Sequence, residues 1–92
     1  MKRDIVIHNW MWKIGIKGND LLLYAIIYEY EYYFATQKEI AELLSISLPT
    51  LVCCLNRLMN AGLIDMVYAK REYSTALAYH AIDKQNISKR YE

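Results

Sequence analysis

Proline is nearly absent from this chain, and so is any surplus of charge. Pro49 is the single proline, glycine occurs three times, and the formal net charge over 92 residues is +1. No repeat, low-complexity stretch or internal linker is visible, which leaves one domain's worth of chain. Strong nucleic-acid binders carry a basic excess, so any such role here must rest on where the cations sit rather than on their number. Cysteine is limited to Cys53 and Cys54, adjacent in sequence. On a helix such neighbours point about 100° apart, which argues against a disulfide between them, and no CxxC pair points to zinc. Reduced thiols fit a cytoplasmic location. The one long apolar run, Leu21 to Tyr28, falls far short of the ~20 residues that cross a bilayer, so no membrane span is expected. The N-terminus MKRDIVIHNW lacks the apolar core and small-residue cleavage site of a signal peptide. His8 and His80 have no ligand-like companions, which leaves no metal site to expect. Glycine-rich phosphate loops, nucleophile elbows and paired carboxylates are missing, so neither catalysis nor a cofactor is expected.

What is present is apolar residues, 55% of the chain. That is enough for one core, with apolar surface left over for a partner. Their spacing organises the chain. Asn9–Ile14 reads as a short helix capped by Asn9 and stopped by Gly15, with Trp10 and Ile14 on one face. After a break at Lys17-Gly18, Asn19 is expected to cap a longer helix running to about Tyr32, with Asp20 near its positive end. Leu23, Ile26, Ile27, Tyr30 and Phe34 form its buried stripe. Thr36 and Glu39 make a capping box for a helix over 37–44, whose apolar side is Ile40, Leu43 and Leu44. Ser45-Ile46 turns the chain. Ser47 caps a third helix with Pro49 in its first turn, Leu51, Leu55, Leu58 and Met59 in its core stripe, and Gly62 closing it. Leu63–Ala69 and Tyr73–Ile82 are rich in strand formers and read as a hairpin with Lys70-Arg71-Glu72 at its tip. The polar segment DKQNISKRYE, residues 83–92, reads as a tail.

Three helices with a tight turn between the second and third, followed by a hairpin, make the order of a winged helix. The stretch TQKEIAELLSISLPTLVCCLNRLMNAGLI, Thr36 to Ile64, resembles the winged helix-turn-helix of MarR-type regulators and of phage and plasmid replication initiators. It does so through EIAELL, the Ser47 cap, the Leu55 and Leu58 pair, and AGLI before a strand. The earlier WMWKIGIKGNDLLLYAIIYEY is similar to the N-terminal region of phage replisome organisers. The resemblance covers about residues 9–82. It implies a mainly α fold with a β-hairpin, a winged-helix domain over 1–82, and binding of double-stranded DNA in replication initiation of a mobile element or in transcription regulation.

Carried onto this sequence, the resemblance gives the third helix to the major groove, where base edges are distinguishable. Its groove-facing positions are Ser47, Leu48, Pro49, Thr50, Val52, Cys53 and Asn56. Thr50 and Asn56 can hydrogen-bond bases or phosphates. Arg57 and Lys38 can reach phosphates, and Lys70 and Arg71 can clamp the backbone or enter the minor groove. Lys70 and Arg71 have a plainer alternative as a solvated turn, and Thr50 and Asn56 as helix-surface polarity. The sequence departs from the family where Leu48, Val52 and Cys53 are apolar. Such a face meets thymine methyls but offers few hydrogen bonds, and it supports the rival reading of a protein-interaction module without DNA binding. Tyr24, Tyr28 and Tyr32, spaced by four, form either a ridge for a homodimer through the first helix or N-terminal segment, or a surface covered by Trp10 and Trp12.

Overall fold

Two short polar signals start the helices that matter most. Glu39 N donates to Thr36 Oγ1 at 3.1 Å, and Thr36 N donates to Glu39 Oε1 at 2.9 Å, closing the capping box. Thr50 N donates to Ser47 Oγ at 3.3 Å. In the computed structural model, which describes residues 5–82, these caps open α2 (Gln37–Leu44) and α3 (Leu48–Asn60). Before them come a short 3-10 helix (Asn9–Ile14) and α1 (Asn19–Tyr28); after them come β1 (Ile64–Arg71) and β2 (Ser74–Ala81). The fold is mainly helical, closed by an antiparallel hairpin. The tail over 83–92 lies outside the described residues.

α1 is the centre of the molecule. Leu21, Leu23, Tyr24, Ala25, Ile26 and Ile27 are all buried, so it is apolar all round rather than along one stripe. Around it pack Met11 and Ile14, Ile40 and Ala41 of α2, Leu51, Cys54, Leu55 and Leu58 of α3, and Leu63, Ile64 and Tyr79 of the hairpin.

Several expected details are corrected. Asn9 and Asn19 are the first residues of their helices, not the caps; His8 and Gly18 stand at those positions, without side-chain cap bonds. In the 3-10 helix the buried residues are Met11 and Ile14, because a tighter helix brings positions i and i+3 into line. α1 ends at Tyr28, not Tyr32. The amides of Glu29 and Tyr30 turn back to the carbonyls of Ile26 and Ile27, and the chain extends so that Tyr33 can pair with Tyr79. Tyr33 N donates to Tyr79 O and Tyr79 N to Tyr33 O, both at 2.9 Å. That single bridge sets Tyr33 beside β2. In α2, Leu43 is exposed and Ala41 is buried in its place.

The C-termini of α2 and α3 are closed in the same way. Ile46 N reaches Ala41 O at 3.0 Å and Ser45 N reaches Glu42 O at 3.2 Å; Leu63 N reaches Leu58 O and Gly62 N reaches Met59 O, both at 3.0 Å. Each is the paired-bond stop that needs one left-handed residue. Gly62 supplies it at φ 74, whereas after α2 the residue is Ser45, at φ 56.

Candidate nucleic-acid interface

α2 and α3 meet at 103° across Ser45, Ile46 and Ser47. A near-perpendicular pair joined by three residues is the helix-turn-helix arrangement. It presents the outward side of α3 because the opposite side is occupied by Leu51, Cys54, Leu55 and Leu58 against the core. At about 100° per residue, Pro49, Cys53 and Asn56 then fall along the middle of the outward face, and all three are exposed. Asn60 continues that line, also exposed; sequence reading missed it, although its spacing of four from Asn56 could have found it. Thr50 and Arg57 flank the line on one side, with Leu48 and Val52 on the other. Leu48 is 46% exposed and Val52 is partly buried.

The polar groups of this face are partly spoken for. Ser47 Oγ donates to Thr50 Oγ1 at 2.8 Å while accepting from the Thr50 amide, so both hydroxyls are oriented within the cap. Arg57, expected to reach a phosphate, is paired within the protein. Its Nε and Nη2 donate to the two carboxylate oxygens of Asp20 at 2.8 and 2.9 Å, and Nη2 also lies 3.4 Å from Cys54 Sγ. This forked pair ties α3 to the first turn of α1. The guanidinium holds the Asp20 carboxyl below its ordinary value, chiefly through that hydrogen bond, and Asp20 in turn raises Arg57. Burial, with Asp20 beside it, pushes the Cys54 thiol up to about 11. Both cysteines are free, Cys54 buried and Cys53 exposed.

Lys38 is exposed near the start of α2. Here the Thr36 amide, and then its hydroxyl, hold the Glu39 carboxyl below its usual range. Lys70 and Arg71 are the last two residues of β1 rather than a loop, since Arg71 pairs directly with Ser74. The turn is therefore Glu72-Tyr73, two residues long, and Tyr73, expected in a strand, occupies the tip. Arg71 folds back with its guanidinium carbon 5.3 Å from the Phe34 ring centre, a cation–π contact near enough to Glu39 to favour the latter's charge. Lys70 lies on the opposite face of the strand, exposed.

Of the two alternatives for Tyr24, Tyr28 and Tyr32, the geometry of Tyr24 and Tyr28 matches the covered surface. Tyr24 is fully buried, with Trp10 edge-on to it at 5.9 Å and to Tyr28 at 5.3 Å. His8 packs on Tyr28 at 5.0 Å and lies 3.3 Å from the Glu29 carboxylate. Tyr32 lies beyond the helix, against His80 at 5.5 Å. Trp10 thus covers the face, while Trp12 points away from it, exposed. Among the described residues no three His, Cys, Asp or Glu side chains gather as metal ligands, and no single helix is long and apolar enough to cross a membrane.

Compared with known proteins, the chain matches no family model, and no curated protein matches it.

Proposed function

We propose that this chain is a winged-helix module that binds double-stranded DNA, with α3 in the major groove and the hairpin as the wing. The observation that carries this reading is the 103° crossing of α2 and α3 over a three-residue turn, which leaves one long face of α3 outward. The Tyr33–Tyr79 bridge supports it by anchoring the hairpin to the segment between α1 and α2. In this reading Asn56 and Asn60 are the base-reading side chains, since an amide pairs with adenine's edge. Lys38 and Lys70 contact phosphates, and Arg57 holds the helix that does the reading. Replication initiation on a mobile element and transcription regulation are the two settings the reading admits.

A second reading, a protein-interaction module, is favoured by one specific observation. Apart from Arg57, already held by Asp20, α3 carries no charge, and Leu48 is exposed beside it. Fluorescence anisotropy with random-sequence duplex at low salt separates the two. Binding that weakens with salt, and falls further when Lys70 is replaced by alanine, is the expected result. No binding at low salt would remove DNA and leave the protein module.

A further inference from the structure

The far end of the hairpin is built against the usual rules. Two-residue hairpin turns favour glycine, asparagine or aspartate where φ is positive, yet Glu72 sits there at φ 54. Beside it Tyr73 is fully exposed, so burial among the described residues does not reward an aromatic ring at this turn. Folding alone gives no reason for either residue. The same end carries a second aromatic. Antiparallel partners point to the same side of a sheet, so Tyr68, opposite Leu77, shares a face with Lys70, opposite Thr75. Tyr68 is 79% exposed, and Met66 and Leu77 beside it are exposed as well. Among the described residues on this face of the two strands, the one charge is the cation of Lys70. Asp65 lies on the other face, where its carboxylate accepts from the Met66 amide at 2.9 Å. That bond blunts the free edge of β1 as a site for adding a strand.

We propose that this end of the hairpin is a stacking site for unpaired nucleobases, with Tyr73 as the leading platform and Tyr68 beside Lys70 as the second. Flat, exposed aromatic rings next to a cation are what single-stranded nucleic acid requires: bases stack on the rings and the cation meets the backbone. Tyr68 lies three residues from the end of β1, about 10 Å along the strand, a backbone separation that favours different nucleotides over one. The inference rests on the DNA reading above and extends it. α3 holds a duplex while the wing tip engages a strand that leaves it, as at a fork or an opened origin.

Three probes test this: a blunt duplex, the same duplex bearing an oligothymidine flap, and the flap alone. Wild type is expected to bind the flapped duplex more tightly than the blunt one. Tyr73→Ala should remove that preference, weakening flapped binding by at least about fivefold, the lower end of what one stacked base contributes. Blunt binding should be unchanged. Tyr73→Phe should keep the preference, because the ring and not the hydroxyl stacks. Equal wild-type affinity for flapped and blunt duplex, or a preference that survives Tyr73→Ala and Tyr68→Ala together, overturns this inference and leaves duplex binding standing. Failure to bind any of the three overturns both. Self-association abolished by Tyr68→Ala, without flap preference, assigns the face to a second copy of the chain and overturns the inference too.

Discussion

Tyr24 is the residue at which this core departs from economy. Its ring is fully buried between α1's neighbours, and its hydroxyl is buried without a hydrogen-bond partner. A buried polar atom left unmatched costs about 1–3 kcal/mol relative to its hydrated state. Tyr24→Phe removes the oxygen and keeps the ring that Trp10 packs against, so thermal melts should show the variant more stable, by roughly 1 kcal/mol. A pH signature comes with it. Burial, and then the neighbouring Tyr28, push the Tyr24 phenol well above its ordinary value of 10.0. A folded-state pKa above the unfolded one contributes stability that is complete below pH 10 and is lost as pH rises beyond it. The alkaline fall in Tm should therefore be shallower in Tyr24→Phe than in wild type. A variant that melts lower at neutral pH would mean that the hydroxyl finds a partner in solution.

Among elements, the α2–α3 unit was the most legible in sequence, because its signals are local. Thr36, Glu39, Ser47 and Pro49 each act within one turn of helix, and they fix both starts. What the sequence could not show depended on distant partners. α1 stops at Tyr28 because Tyr33 is claimed by Tyr79, and helical periodicity through Tyr32 carries no trace of that pairing. The Arg57–Asp20 pair spans 37 residues, so no local signal in the sequence shows it. The outward line of Pro49, Cys53 and Asn56 followed from spacing alone, whereas the tip position of Tyr73 depended on a register that composition does not set. Two predictions belong at this scale. Ser45 holds the left-handed position that ends α2, where a Cβ is disfavoured. Ser45→Gly should stabilise by about 0.5–1 kcal/mol, the relief of that strain outweighing the entropy glycine adds to the unfolded chain; denaturant unfolding measures it. The Asp20–Arg57 tie predicts acid sensitivity. Arg57 depresses the Asp20 pKa below 3.8, so the stabilisation is present above that pH and is lost as pH falls through the lower, folded-state value. Asp20→Asn should lower the neutral Tm by on the order of a few degrees and flatten this part of the acid limb.

At the scale of the whole molecule, charge decides how DNA binding should look. A net charge of +1 gives little general attraction, so association should depend on a few placed cations. Lys38 and Lys70 stand exposed, and Arg71, though packed on Phe34, is exposed enough to meet a backbone. If each neutralises one phosphate, log affinity should fall with log salt at a slope of about −2.7, using about −0.9 per contact. Between roughly 50 and 200 mM salt that is about a fortyfold loss. Arg57 and Lys70 should then separate cleanly, although either substitution removes one positive charge. Lys70→Ala should reduce the magnitude of the slope by about one and leave Tm unchanged, since its side chain lies on an open strand face. Arg57→Ala should lower Tm, because Asp20 loses both hydrogen bonds from the guanidinium, while leaving the slope near the wild-type value. Asn56→Ala should leave slope and Tm alone and weaken only a preferred site, by about 1–3 kcal/mol. Titrations at several salt concentrations, with melts of the same samples, measure all three. A slope that changes with Arg57 and not with Lys70 would mean that the Asp20 pair opens on DNA, and that α3 rather than the hairpin holds the phosphates.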